Sequence, residues 1–234
     1  MPQPSRQDVW QMFDRISPTY DRINRLVSFG QDRSWRRSVA KYLPEKKSIR
    51  LLDLATGTGD QLITLLEECG RIDKAVGIDL SSEMLKIASQ KIQSKPYCNK
   101  VVLQRADAQS LPFPTNSFDA TSFSFGIRNV PSPKITLREI YRVLRHKGRC
   151  LILEFSLPPQ PIRPFYLFYL RYLLPQIGKI ISKDTGAYRY LNQTIETFPY
   201  GKAFAVLMKE AGFHQIEIHP MALGAVSLYV GIKP

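Results

Sequence analysis

The chain has 234 residues, of which 44% are hydrophobic and 23% charged, values that fit one α/β domain with a large core. Its net charge of +13 points to a polyanionic neighbour, nucleic acid or an anionic membrane surface, unless it marks only a basic soluble enzyme. Cys69, Cys98 and Cys150 form neither a disulfide framework nor a zinc spacing, Met-Pro-Gln-Pro-Ser-Arg lacks the core of a signal peptide, and no run reaches the ~18 uncharged apolar residues of a spanning helix. Together these predict a cytoplasmic, reducing compartment.

Residues 8–42 read as helical, with Trp10, Phe13 and Ile16 on one face and Trp35, Val39 and Tyr42 on another. An irregular stretch around Pro18 and Gly30 is expected between them. Strands then fit at 50–55, 74–79, 100–105, 118–124 and 149–155, and helices at 60–69, 82–94 and 134–145. Ser81 or Ser82, followed by Glu83, supplies a cap for the second of these helices. Such alternation predicts a parallel sheet covered on both faces, with ligands at the carboxyl ends of the strands. Residues 156–200 break the pattern with prolines and aromatics. A helix at 201–211 and strands at 213–218 and 225–232 follow, the strands joined at Gly224-Ala225 as an antiparallel hairpin. The expectation is one domain over 1–234, with a helical cap at about 1–45 and an aromatic insertion at about 156–200. Seven mostly parallel strands, Rossmann-like, with a terminal hairpin make the class I S-adenosylmethionine (SAM)-dependent methyltransferase arrangement.

The segment Leu51-Leu52-Asp53-Leu54-Ala55-Thr56-Gly57-Thr58-Gly59-Asp60 is a strand, a glycine turn and a helix start, and Asp79 ends the next apolar run. Gly57 and Gly59 let the backbone approach a ligand, and an acid about 20 residues past such a turn accepts ribose hydroxyls. Leu62 stands where a dinucleotide fingerprint needs its third glycine. Asp53 and Asp60 crowd the place of a pyrophosphate. Negative charge there suits a ligand with a positive centre, and the reading is SAM. Asp107, after the third strand, is placed to accept from an adenine amine, with Ala108 leaving room for the ring. Ser124 and Gly126 end the fourth strand beside the methionine part, and Arg128 and Asn129 follow at the mouth.

At these residues the chain resembles the C-methyltransferases of menaquinone and ubiquinone biosynthesis. The matching segments are Tyr20-Asp21-Arg22-Ile23-Asn24 with Ser28-Phe29-Gly30, Leu52 to Asp60, Leu111-Pro112-Phe113-Pro114 with Ser117-Phe118-Asp119, Ser124-Phe125-Gly126-Ile127-Arg128-Asn129-Val130, Glu154-Phe155-Ser156 and Tyr188-Arg189-Tyr190-Leu191. The likeness runs from about residue 9 to the C-terminus. It implies SAM contacts at Thr58, Asp79, Asp107, Ala108 and Ser124. One departure is Arg145-His146-Lys147-Gly148, where the family usually has Lys-Pro-Gly-Gly; this touches turn geometry at the far end of the sheet.

The resemblance also implies methylation of a quinol ring carbon beside a hydroxyl, with the last step of menaquinone synthesis favoured and ubiquinone-pathway benzoquinol, or both, as alternatives. His146, His214 and His219 map away from the strand ends, so the proton acceptor is expected to be water or no dedicated side chain. Arg128 is expected to stabilise a phenolate or polarise a water, Asn129 to orient the ring oxygen, and Tyr20 to close over the ring from the cap. Tyr190 has the same expected role from the insertion. The apolar run Phe165 to Leu174 predicts either a membrane interface at the inner face of the cell membrane or a packed cap for the prenyl tail. Two rival readings are an RNA methyltransferase and a non-catalytic scaffold of a quinone-synthesis assembly. Leucines rather than basic residues interleave the aromatics, which disfavours nucleic acid, and the intact Asp53, Gly57, Gly59, Asp79 and Arg128-Asn129 set disfavours a dead site.

Overall fold

The computed structural model describes residue 6, residues 8–176 and residues 185–234, apart from the side chains of 185, 187 and 188. Its sheet has seven strands: β1 (Ile49–Leu54), β2 (Ile72–Asp79), β3 (Val101–Arg105), β4 (Phe118–Ser124), β5 (Leu144–Phe155), β6 (His214–Met221) and β7 (Val226–Ile232). Their order is β3-β2-β1-β4-β5-β7-β6. The first five are parallel; β7 runs antiparallel between β5 and β6. From β1 the chain winds first toward β3 and then, through β4, toward β6. The order reverses between β1 and β4, and a crevice opens at the strand ends there.

Alternation along the strands builds two cores. Leu51, Leu151 and Leu153 join Val39, Leu62 and Leu65 on one face. Leu52, Leu54, Phe123 and Ile152 join Leu137, Ile140 and Phe204 on the other. Odd and even positions of each central strand thus serve opposite layers, as a period of two requires. The covering helices include α1 (Val9–Val27), α2 (Asp32–Ala40), α3 (Asp60–Glu68), α4 (Ser82–Gln93) and α5 (Pro133–Val143). Ser81 caps α4 by accepting from the Met84 amide at 3.1 Å, as its sequence suggests. After β5 come α6 (Arg163–Phe168), a π turn (Tyr169–Leu173), α7 (Thr185–Thr197) and α8 (Lys202–Glu210). A third core of Val9, Met12, Ile23, Leu170, Leu174, Tyr190 and Ile195 packs α1 against this later segment.

Several boundaries differ from the sequence expectation. Pro18 does not break the chain; it lies inside the 19-residue α1. Proline cannot donate to the Asp14 carbonyl, and the Ser17 hydroxyl takes that place at 3.0 Å. The irregular stretch shrinks to a turn at Phe29 and Gly30, both with positive φ. β5 begins at Leu144, directly after α5, because the Arg145 to Gly148 turn is a bulge within the strand and not a loop before it. β6 runs on to Met221, and a short 3₁₀ turn (Ala222–Gly224) replaces the tight link.

Lys147 in that bulge is exposed and has φ +59°, a conformation that favours glycine. Lys147→Gly should relieve more strain in the folded chain than it adds freedom to the unfolded one, a gain of about 0.5–1 kcal/mol. A rise of roughly 1–4 °C in the thermal midpoint is the expected reading.

Candidate functional site

The crevice holds two adjoining cavities. The first, with about 760 Å³ of empty space including its mouth, lies at the ends of β1 to β4. Gly57, Asp79, Asp107, Ala108, Ser124 and Gly126 form its floor, and Val9, Trp10, Phe13 and Tyr20 of α1 form its roof. Asp79 gathers the loop: one carboxylate oxygen accepts from the Gly57 amide at 2.8 Å and the other from the Ser81 amide at 2.9 Å. Burial pushes its pKa up, against those amide hydrogen bonds. A carboxylate has about four lone-pair sites, so acceptor capacity remains for a ligand's hydroxyls. Asp107 holds the Gln109 amide at 2.8 Å, and the Ser124 hydroxyl donates to Gln61 at 3.0 Å. A Cβ added to Gly126 would lie 2.9 Å from the Ala55 Cβ, so only glycine lets this wall close up.

Three residues expected to touch the cofactor stand behind this wall. Asp53 is fully buried and accepts from the hydroxyls of Ser122 and of Thr56, the latter at 2.6 Å. Thr58 donates to Asp21 of α1 at 2.6 Å. Gly59 opens α3 with φ +85°, 3.2 Å from Ala88 where a Cβ would sit. All three shape the loop, and none lines either cavity.

The second cavity, with about 1090 Å³ of empty space, opens beside the first. Phe13, Tyr20, Phe125 and Asn129 line both, so two ligands would meet there. Its wall is largely apolar, built from α1, α2, the α6–π segment and α7. Four buried polar atoms of its lining residues have no hydrogen-bond partner: Arg36 Nε, Arg128 Nε, Asn129 Oδ1 and Tyr190 Oη. Tyr20, T-stacked on Phe13 with centroids 6.0 Å apart, has its pKa raised by burial.

Arg128 and Asn129, expected at the mouth, line the second cavity and are buried. Arg128 Nη1 donates to Glu154 and to the Phe125 carbonyl, each at 2.6 Å, and its guanidinium lies 5.1 Å from the Phe155 ring centroid. The sign of this partner in the sequence is an acid, Glu154, closing the apolar run Leu151-Ile152-Leu153. Nothing in the sequence marks Arg36, and Trp35 and Tyr166 stand out there only as members of apolar helical segments, because helices distant in sequence bring all three to the second cavity. His146, His214 and His219 line neither cavity; His219 stacks on Tyr42 with centroids 4.4 Å apart.

Polar contacts tie α1 across the site. Asp14 accepts from the Ser81 hydroxyl and from the Glu83 amide at 3.3 Å. Asp21 takes Lys91 at 2.6 Å, and Lys91 also reaches Asp60 at 2.8 Å. Arg25 pairs with Asp32 at 2.7 Å.

The model of the ubiE/COQ5 methyltransferase family matches residues 1–233. A Bacteroides fragilis protein described as a demethylmenaquinone methyltransferase is 37% identical over 228 residues, covering 97% of this chain and 93% of its own. A Syntrophotalea carbinolica protein described as a ubiquinone/menaquinone biosynthesis C-methyltransferase is 41% identical over 228 residues, covering 97% and 94%. Among solved structures, a SAM-dependent methyltransferase from Thermotoga maritima, a possible histamine N-methyltransferase, superposes with TM-score 0.66 at 21% identity over 96% of this chain and 100% of that one. At that identity the likeness establishes the class I methyltransferase fold alone.

Burial raises the Asp53 pKa to about 6, against the two hydroxyl donors. An acid with a raised folded-state pKa binds its proton more tightly folded than unfolded. Its contribution to stability is therefore full below the unfolded value and falls as pH rises through about 6. Between pH 5 and pH 7 the loss is about 1 kcal/mol. Asp53→Asn cannot ionise, so denaturant titrations at the two pH values should show that difference shrink by this amount relative to the parent.

Proposed function

The chain belongs to the ubiE/COQ5 methyltransferase family, and from that premise we propose that it transfers a methyl group from SAM to a ring carbon of a prenylated quinol. The favoured substrate is demethylmenaquinol, giving menaquinol in the last step of menaquinone synthesis. A benzoquinol of the ubiquinone pathway, alone or in addition, is the alternative, since the names of the relatives carry both. The observation that carries the reading is the pair of cavities sharing Phe13, Tyr20, Phe125 and Asn129: a polar-floored pocket fit for a nucleoside opens onto an apolar one with a few unpartnered polar atoms.

The residues of the first cavity suit the cofactor. Asp79 is placed for ribose hydroxyls, Asp107 for an exocyclic amine, Ala108 for a flat ring, and Gly57 and Ser124 for the remaining contacts. When bound, SAM supplies a methyl group on a positively charged sulfur. The rings of Phe13, Tyr20 and Phe125 at the junction favour such a cation. Asn129 Oδ1 is free to accept from the ring hydroxyl and so orient it. Arg128, held by Glu154, fixes the Phe125 and Asn129 turn beside the ring. Holding the two reactants in one enclosed geometry is worth several kcal/mol of the barrier, on the order of 7–11 in favourable cases. With no histidine in either cavity, water takes the hydroxyl proton.

We place the reaction in a single domain, residues 1–234, with a cap (about 1–45) and an insertion (about 156–200) whose described residues help to line the second cavity. We also place the protein at the inner surface of the membrane. Phe29 (77% exposed), Phe165 (76%), Tyr172 (61%) and Phe168 (57%) are open to solvent. Phe29 touches Tyr169 with ring centroids 6.2 Å apart, so the two segments meet in one aromatic patch beside the cavity wall. Exposed Arg22 and Arg33 flank Phe29 in sequence, and an anionic bilayer would attract them. No helix of the described residues is long and apolar enough to cross a membrane, so the contact would be peripheral.

Methyl transfer from labelled SAM to demethylmenaquinol in liposomes tests the reaction, with a short-tailed demethylated benzoquinol and bulk RNA in parallel. Label in the naphthoquinol is expected; label in RNA alone would overturn the quinol reading. Flotation with phosphatidylglycerol vesicles tests the surface. Phe165→Ser with Phe168→Ser should weaken binding by about tenfold or more, since each buried ring is worth roughly 1.5–3 kcal/mol. Unchanged flotation would remove the patch from the interface.

A further inference from the structure

The second cavity holds two buried guanidinium groups, one bonded to a carboxylate and one not. Arg128 is paired with Glu154 at 2.6 Å, and the same nitrogen also serves the Phe125 carbonyl. That pair is neutral as a unit. Arg36 has no such partner. It is 7% exposed, its Nε has no acceptor, and among the described residues no carboxylate forms an ion pair with it within 4.0 Å. Asp32, one turn earlier on α2, is already engaged by Arg25 at 2.7 Å and by the Ser28 hydroxyl at 2.9 Å. Asp60 is engaged by Lys91 at 2.8 Å, and Asp53 by two hydroxyls. The Arg36 guanidinium lies 5.3 Å from the centroid of Phe125, the ring that lines both cavities. The Arg36 charge favours the ionised forms of Asp53 and Asp60 through space, but neither carboxylate reaches it, so a buried guanidinium with an unpartnered Nε keeps donors to spare for a ligand. An anionic ligand in the cavity would supply the missing hydrogen-bond partner, and a buried guanidinium so placed marks a candidate functional group.

We propose that Arg36, and not Arg128, carries the negative charge of the ring oxygen during methyl transfer. This rests on the quinol reading above. The hydroxyl beside the reacting carbon loses its proton to water, and the resulting phenolate sits against Arg36. The oxygen's electron pair moves into the ring as the new carbon–carbon bond forms and the methyl–sulfur bond breaks. The ring proton then leaves from that carbon and the oxygen regains one, so each methyl transferred releases one proton. Arg128 acts through the Phe125 turn and is a positioning residue.

The test compares Arg36→Met and Arg36→Lys with the parent in four measurements. These are the thermal midpoint without ligand, SAM affinity, affinity for the coloured anion of 2-hydroxy-1,4-naphthoquinone against neutral 1,4-naphthoquinone, and the pH profile of kcat. Arg36→Met should keep SAM affinity and leave the midpoint close to the parent's, because it breaks no ion pair within 4.0 Å and replaces the stem with an apolar chain of similar length. Its affinity for the anion should fall by about tenfold or more while that for the neutral ring holds. The acid limb of kcat, which reports groups in the bound complex, should move up by about one pH unit or more. Arg36→Lys should recover part of each loss. Equal loss of both rings, or a lowered midpoint, would mark Arg36 as packing and overturn the proposal. So would an unshifted acid limb with anion affinity intact. If Arg36→Met does not fold, the lysine variant and the parent's preference for anion over neutral ring decide the matter. A parent enzyme that labels no quinol sinks the quinol reading instead, and the anion comparison still judges Arg36.

Discussion

The turn at Phe125 is the constraint on which the rest of the site depends. It ends β4 with φ +58°, a left-handed conformation that is unfavourable by about 1–2 kcal/mol for a side chain of this size. The surroundings enforce it from both sides. The Phe125 amide donates to the Leu153 carbonyl at 2.7 Å, and its own carbonyl takes Arg128 at 2.6 Å and Asn129 at 3.5 Å. Glu154, buried on the next strand, orients Arg128. The ring is thereby set among Trp35, Phe155 and Arg36, where it lines both cavities. Without that turn, the Phe125 ring would not stand at the junction of the two cavities, and the floor for the nucleoside would lose its edge at Gly126.

A second condition is enclosure. The strand ends alone make an open crevice, and α1 turns it into a chamber. The helix needs its full length to do so, since Val9 and Trp10 cover one cavity while Ile23 and Val27 cover the other. Ser17 makes the unbroken run past Pro18 possible by taking the carbonyl that proline leaves free. The ties at Asp14 and Asp21 fall on the α4 cap and on Thr58, both belonging to the loops that build the nucleoside floor. Exposed ion pairs are worth little singly, about 0–1 kcal/mol, but Asp21 and Asp60 are partly buried and joined through Lys91 into one network. The roof is therefore coupled to the floor it covers.

What could be read from the sequence was what the backbone must do locally. Gly57 and Gly59, Asp79 at a strand end, and Asp107-Ala108 and Ser124 after later strands are local demands of a nucleoside site, and all but Gly59 among them reach the first cavity. Asp53 and Thr58 sit at the right place in the chain but answer to partners 69 and 37 residues away, so their side chains turn to structural contacts. Arg36 was illegible for the opposite reason. In sequence it is one of several basic residues on a short helix, and its place in the second cavity beside Phe125 exists only once α2 is packed on α3 and β5. The role of Pro18 was misjudged because a proline signals a break unless a neighbouring hydroxyl repairs the carbonyl, which is a matter of one rotamer.

The insertion follows from the same physics. From Phe165 to Leu174, Tyr166, Tyr169, Leu170 and Leu174 face the cavity, while Phe165, Phe168, Tyr172 and Leu173 are exposed. The segment is a wall one helix thick with apolar groups on both sides. An apolar inner face is required by an apolar ligand; an apolar outer face in water is unfavourable, on the order of 25 cal/mol for each Å² left uncovered. The π turn at Tyr169–Leu173 adds a residue to that helix, and such insertions occur often at functional sites. Here it brings the Tyr169 hydroxyl onto the Val27 carbonyl at 2.9 Å, which ties the wall to the end of α1 and sets Phe29 beside it. A prenyl tail extending from the cavity would pass between two surfaces that are both apolar. Under the proposed function, the outer one would be where a bilayer continues the apolar environment of the tail.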